Sequence, residues 1–242
     1  VICRDCGLFY VNPIPSQAAL EGVVSGSDLY TQDQLNKRVF FRRRAVQLFE
    51  RLEQLVPPAT VLDVGCAIGT ELVVARERGW QGVGIELSSK SIAIARSEKL
   101  EVIDRTLERS NLPSEHFQVV TANHVLEHIA YPAQFMAEIK RVLSRAGYLF
   151  VAVPNVNHWQ RYYYQQRYRW TFQDDHFVHF SMATLRRFLE GHGFRIIELY
   201  SSRCFDFHDD LADRSLPFRL LNRWVENLGL GIEIFCLAQL TT

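Results

Sequence analysis

Apolar residues along this chain fall into two alternating rhythms. Between Gln32 and Leu55, the positions Leu35, Val39, Phe40, Ala45, Val46, Phe49 and Leu52 recur at helical spacing, and Val56 extends the stripe until Pro57-Pro58 ends it. This predicts one long amphipathic helix. Downstream, short runs of strand length alternate with helical ones. Strands are predicted at Thr60–Val64, Gly82–Leu87, Glu101–Ile103, Gln118–Ala122 and Gly147–Val153, with helices at Glu71–Arg78, Ser89–Lys99 and Pro132–Leu143. A helix at Ser181–Glu190, stopped by Gly191 and Gly193, leads to strands at Phe194–Tyr200 and Gly231–Ala238. Alternation of this kind builds a parallel sheet covered by helices.

Two stretches depart from the rhythm. Residues 1–30 are rich in turn signals, Asn12-Pro13-Ile14-Pro15 and Gly22 to Gly26, and read as a lead-in segment. From His158 to Phe180 the chain gathers Trp159, Tyr162, Tyr163, Tyr164, Tyr168, Trp170, Phe172, Phe177 and Phe180 among Arg161, Arg167 and Arg169. It follows the fifth strand, on the side where open α/β sheets receive ligands, so it is expected to cap an acceptor pocket. A satellite core is the plainer reading of the rings, and stacking on nucleic-acid bases is another.

Candidate chemistry begins at Val61-Leu62-Asp63-Val64-Gly65-Cys66-Ala67-Ile68-Gly69, where an apolar run ends in an acid and a loop of small residues opens a helix. Gly65, Ala67 and Gly69 let the main chain approach a ligand. A dinucleotide fingerprint needs glycines at 65, 67 and 70, and this chain has Ala67 and Thr70. The pattern D-x-G-x-x-x-G resembles the first motif of class I S-adenosylmethionine (SAM) methyltransferases, with Ala67 in place of a middle glycine. Further segments resemble the same family: Gly82 to Ser88 with Glu86 at its end, Phe117 to Ile129 with Val125-Leu126-Glu127-His128, and Ile139 to Gly147 before Tyr148 to Asn155. The chain departs from the family at Ala67, at Gln118 where Asp is usual, and at Arg145-Ala146 where Pro-Gly is frequent.

The resemblance implies a Rossmann-like α/β fold of seven strands, mostly parallel with the last antiparallel, and helices on both faces. It divides the chain into the lead-in segment 1–30, an N-terminal lid helix over 31–58, and a SAM-binding methyltransferase domain over 59–242 that includes the aromatic insert 156–180. Asp63, Gly65, Cys66, Ala67, Gly69, Glu86, Leu87, Thr106, Leu107, Asn123 and His124 are its expected cofactor residues, with Glu86 on the ribose and Thr106 and Leu107 at the adenine edge. Cys66 is expected to be an inert buried thiol. His128 is the expected general base, with His124 as substitute and Glu127 beside them, because an imidazole titrates near neutral pH. If Val125–Ile129 is helical, these three share a face. They could then hold a divalent ion with His176 or His179, or His128 could merely secure the loop. Asn155, Trp159, Tyr163, Trp170, His176 and His179 are expected to line the acceptor pocket.

Bulk properties narrow the function. The 242 residues are 48% apolar and 22% charged, which excludes a disordered chain. Lys plus Arg equals Asp plus Glu at 27 each, so no overall field draws nucleic acid. No apolar stretch approaches the roughly 20 residues that span a bilayer, and no signal pattern precedes the fold, which makes the cytoplasm the expected compartment. In the Arg42-Arg43-Arg44 run a solvated face is expected, although one arginine could reach a cofactor carboxylate. Of five cysteines, only Cys3 and Cys6 are spaced as a zinc half-site, whose two further ligands would lie upstream; a pair of reduced thiols is the alternative. The expected activity is methyl transfer from SAM to an oxygen or carbon, less so a nitrogen, of a small quinone-like, sugar or secondary-metabolite acceptor. The alternatives are an RNA-directed, metal-assisted 2′-O-methyltransferase, whose Glu-x-x-Glu-His site is similar to His124-x-x-Glu127-His128, and a module that only binds SAM.

Overall fold

The computed structural model describes residues 1–13, 28–159, 175–202 and 216–241. Its strands are β1 (Phe9–Tyr10), β2 (Thr60–Val64), β3 (Gln81–Ile85), β4 (Glu101–Ile103), β5 (Phe117–Asn123), β6 (Leu143–Pro154), β7 (Val178–His179), β8 (Phe194–Ser201) and β9 (Glu233–Leu240). Its helices are α1 (Asp28–Asn36), α2 (Arg38–Leu52), α3 (Thr70–Glu77), α4 (Ser89–Ser97), α5 (Pro132–Val142), α6 (Met182–Gly191) and α7 (Leu216–Asn227). Seven strands form one sheet in the order β4-β3-β2-β5-β6-β9-β8, mostly parallel, with the last strand antiparallel as the resemblance implies. Contacts divide the chain into two compact units, Pro15–Ala122 with Gln134–Tyr148, and Val1–Ile14 with Asn123–Ala133 and Leu149–Thr241.

The first of these units is built on parallel pairing. β2 lies between β3 and β5, with Thr60 opposite Gln81 and Val61 opposite Val119, and β4 joins outside β3. β2 is buried from Val61 onward because both of its faces are covered, which is why its sequence runs apolar without alternation. Gly84 allows β3 to pass close to the loop after β2: a Cβ there would meet the Cys66 Sγ at 2.5 Å and a Leu72 methyl at 2.9 Å. Cys66, Leu72, Ile92, Ala95 and Val102 close this core. The Ser88 hydroxyl caps α4 by accepting the Ser91 N–H.

The single helix predicted over Gln32–Leu55 is two helices. Lys37, at φ −101° and ψ 14°, breaks the ladder between α1 and α2, while the apolar stripe runs on because the spacing of side chains scarcely changes. α2 buries Ala45, Leu48, Phe49 and Leu52 and packs on α3, with the Phe49 ring 5.5 Å from that of Trp80. The Thr31 hydroxyl bonds that of Ser91 at 2.9 Å, tying α1 to α4. Arg42 forms a two-pronged pair with Glu77, so this arginine serves a solvated face.

In the second unit, β8 and β9 pair antiparallel with a bulge between Ile196 and Glu198. α6 starts with a reciprocal capping box between Ser181 and Thr184. A small sheet absent from the sequence expectations pairs β1 with β7, Phe9 opposite His179 and Tyr10 opposite Val178. Helix α7 was not expected either.

Candidate functional site

In the first unit, the loops that follow β2, β3 and β4 all leave parallel strands at their carboxyl ends. The Gly65 and Cys66 N–H groups donate to the Ile85 carbonyl at 2.8 and 3.0 Å, which fixes the loop after β2 against the end of β3. Gly65 and Gly69 take φ +74° and +78°, and Ala67 takes +48°, a left-handed conformation that costs an L-residue about 1–2 kcal/mol. Glu86 holds the loop there: its Oε2 accepts the Ala67 N–H at 2.8 Å, and its Oε1 accepts those of Leu87 and Ser88 at 2.8 Å each. An ionised carboxylate has about four acceptor sites, so one remains for a ligand hydroxyl. The Glu86 and Ala67 positions singled out in the sequence are thus one hydrogen-bonded unit.

Beneath the loop, Asp63 is buried and accepts the Thr121 hydroxyl at 3.0 Å. Burial, then the charges of Glu71 and Glu86, push its carboxyl well above the usual range, against the Thr121 bond. Three carboxylates close together favour a ligand that brings positive charge. The Thr70 hydroxyl, in the first turn of α3, is buried with no hydrogen-bond partner among the described residues. A small-residue cradle, a surplus of negative charge and an orphaned hydroxyl suit a ligand with an ammonium, a sulfonium and ribose hydroxyls. Cys66 is buried, and burial followed by the Asp63 and Glu86 charges pushes its thiol far up, as an inert thiol requires. Leu107 is buried at the start of a 3-10 turn after β4, with Thr106 as its partly buried cap.

The second unit gathers histidines. After β5, whose last residue is Asn123, His124 takes φ +54° and donates its N–H to the Ala152 carbonyl at 2.9 Å. Its ring lies between two carboxylates, Nδ1 to Glu127 Oε1 at 3.1 Å and Nε2 to Glu233 Oε1 at 2.7 Å. Burial opposes protonation, but the bonds and charges of Glu127 and Glu233 prevail and hold its pKa up at about 10. At neutral pH His124 is an imidazolium without a lone pair. A ring held between two carboxylates in this way is poorly placed to take a proton from an acceptor. Burial pushes Glu127 up, yet His124 and the charges of His128 and His176 bring it below its ordinary value, so it stays ionised.

His128 ends a 3-10 turn, Leu126–His128, rather than an α-helix, so the three side chains do not share one helix face. Its Nδ1 lies 2.9 Å from the Asp175 carbonyl, which can only accept, and 3.5 Å from the Asp175 carboxylate. In the neutral ring the proton therefore sits on Nδ1, which leaves the lone pair on Nε2. The His176 ring crosses that of His128 edge to face at 4.7 Å, and His179 stands 6.3 Å from His176. The Phe177 N–H donates to the Glu127 carbonyl at 2.7 Å, bolting the two segments together.

Among the other expected residues, Asn155 is buried with its amide N–H groups on the Gly229 and Gly231 carbonyls, and its oxygen accepts the Asn157 N–H. An acceptor would have to share that oxygen. Trp159 donates its main-chain N–H to the Leu230 carbonyl. Tyr163 and Trp170 lie outside the described residues. Cys3 and Cys6 flank a turn closed by Gly7 N–H to Cys3 carbonyl at 3.0 Å, and hydrogen bonds from the main chain of Cys6 and Asp5 lower the Cys3 thiol. Among the described residues, no third metal-ligating side chain joins them. Sequence reasoning missed Glu233, Asp175, Glu71 and Thr70. A lone acid inside the apolar run Gly231 to Ala238 was the available signal for Glu233.

The family model for a methyltransferase domain matches residues 36–199. A probable S-adenosylmethionine-dependent methyltransferase of Mycobacterium tuberculosis is 28% identical over 148 residues, 60% of this chain and 53% of that protein. A ubiquinone biosynthesis O-methyltransferase of Hahella chejuensis is 35% identical over 109 residues, 42% of this chain and 46% of that protein. The chain spans about half the length of these curated relatives. A solved SAM-dependent methyltransferase from Thermotoga maritima, described as a possible histamine N-methyltransferase, superposes with a TM-score of 0.65 at 19% identity, covering 93% of this chain and 99% of that one, a likeness of fold. With more than half of its length matched by the domain model, the chain belongs to the class I SAM-dependent methyltransferase family.

Proposed function

We propose that the chain transfers a methyl group from SAM to an oxygen or carbon of a small-molecule acceptor, with oxygen favoured by the O-methyltransferases among its relatives. The observation that carries the binding half is the cradle of Gly65 to Gly69, held by Glu86 at the carboxyl ends of parallel strands. Asp63 and Glu71 face the cofactor's positive charge, Glu86 takes a ribose hydroxyl, and Thr106, Leu107 and Asn123 flank the adenosine. SAM supplies an electrophilic methyl group when bound, and leaves as a neutral thioether. The chain's own task is to orient the acceptor and remove its proton. His128 Nε2 receives that proton, because the Asp175 carbonyl keeps Nδ1 protonated. His124 stays charged and positions Glu127. His176 and His179, with Trp159, Tyr163 and Trp170, contact the acceptor, and the cytoplasm is the proposed compartment.

Calorimetry with SAM, followed by isotopically labelled methyl donor and extracts of small metabolites, tests this reading. Stoichiometric SAM binding and label in a quinone-like or sugar product are expected. Binding without transfer to any acceptor would leave a module that only holds SAM, and salt-sensitive label in RNA would move the acceptor class.

A further inference from the structure

We propose that Glu127, His128 and His176 form a binding site for one divalent transition ion of the zinc type. Their ligand atoms all lie within 4.8 Å of one another, and no other such group of three occurs among the described residues. Glu127 is 1% exposed; its Oε1 takes the His124 ring, while its Oε2 has no hydrogen-bond partner among the described residues. A buried carboxylate oxygen without a partner is an expensive arrangement unless a cation fills the place.

Charge counting points the same way. Two buried carboxylates, Glu127 and Glu233, close on the His124 ring, and one imidazole carries at most one positive charge. The surplus negative charge lies with Glu127, beside two further imidazoles. Two of the three ligands are also oriented from behind, as metal ligands usually are. The Asp175 carbonyl takes Nδ1–H of His128 and leaves Nε2 as a donor, while His124 fixes the far oxygen of Glu127. The hydrogen bond from Phe177 N–H to the Glu127 carbonyl sets the segment bearing His176 against the turn bearing the other two.

Two imidazole nitrogens and one carboxylate oxygen suit zinc, cobalt or nickel, whereas magnesium and calcium prefer oxygen. With bonds of about 2.1 Å, a tetrahedral site needs ligand atoms about 3.4 Å apart, so the group would contract by roughly 1 Å or somewhat more on binding. Three protein ligands leave a fourth position open, and the 30% exposure of the His128 side chain gives it an outlet. That position fits an acceptor hydroxyl, whose proton a bound dication makes more acidic. In the loaded protein this replaces proton capture by His128. Metal uptake itself needs neither SAM nor acceptor, so it stands or falls separately from methyl transfer.

The test uses full-length chain carrying Cys3→Ser and Cys6→Ser, to remove the only pair of thiols spaced for zinc, stripped with chelator and titrated with Zn²⁺ and with Co²⁺. One equivalent of each is expected, and Co²⁺ should give visible bands of a four- or five-coordinate nitrogen and oxygen site. His176→Ala and Glu127→Gln should each weaken uptake on the order of tenfold to a hundredfold or more. Uptake well below one equivalent, bands of a six-coordinate aqua ion, or affinity unchanged in His176→Ala would overturn the proposal. Should Glu127→Gln fail to fold, the Co²⁺ spectrum of the parent chain and His176→Ala decide.

Discussion

Carboxylates are buried in both units, and they are stabilised in opposite ways. On the nucleotide side, Asp63 sits with the charges of Glu71 and Glu86, and its compensation is a neutral hydroxyl, while Glu86 is met by main-chain N–H groups. In the other unit, Glu127 and Glu233 hold a full positive charge between them in His124. The first arrangement has surplus negative charge that a cationic ligand can answer. The second is answered in part from within the chain, by one imidazolium between two carboxylates, and the charge left over lies at Glu127 beside His128 and His176. SAM binding should therefore change the first more than the second, and mutation should damage the second more than the first.

The largest expected effect is on turnover. Once an acceptor is known, His128→Ala should lower kcat by about a hundredfold or more with SAM affinity nearly intact, read by initial rates and by calorimetry. Near-normal turnover would remove His128 from the chemistry and leave the second unit a purely structural mount.

Next in size is the mount itself. Glu233→Ala removes a charge-assisted bond to His124 and leaves only the His124–Glu127 pair, and should cost about 1.5–3 kcal/mol in urea unfolding. The same triad sets a pH limb. His124 has a folded pKa near 10, above its ordinary 6.5, so its contribution is complete below about pH 6.5 and disappears as pH rises through about 10. Melting temperature in chelator-treated protein should fall over that window, and Glu233→Gln should flatten the fall. A profile identical in the variant would show that the triad does not set it.

Glu86→Ala sharpens the comparison from the other side. Losing charge-assisted bonds should weaken SAM binding by roughly 1.5–3 kcal/mol, at least about tenfold, while global stability drops less than in Glu233→Ala. Unchanged calorimetric affinity would defeat the ribose assignment. The smallest effect belongs to Ala67→Gly, which relieves a left-handed alanine and should raise stability by up to about 1 kcal/mol, after the entropy of the added freedom is subtracted. A clear loss of stability in chemical unfolding would show that the loop is not strained at that residue.

Much of the nucleotide side was legible because its signals are local. Thr60–Val64 and Glu101–Ile103 fall where apolar runs and their flanking breaks put them, and the acid, the small residues and Glu86 lie within a few dozen residues of one another. The histidine side was legible only by half. His124, Glu127 and His128 are adjacent in sequence, but their division of labour depends on Glu233 and Asp175, which arrive from distant segments. No spacing rule links these positions. The break at Lys37 escaped for a different reason: a single residue leaving the helix hardly alters the apolar period on which the helix was recognised.

The pairing of Phe9 with His179 joins segments separated by more than two thirds of the chain. Val11 N–H reaches the Phe177 carbonyl at 2.9 Å, and the Arg187 guanidinium reaches the Cys6 carbonyl at 2.8 Å. Contacts of such long range close slowly, since the loop entropy must be met before the contact gives anything back. During synthesis, residues 1–13 leave the ribosome long before their partners exist, and they wait as an unpaired ribbon. The strand edge beside His176 is thus finished late, by residues made long before it.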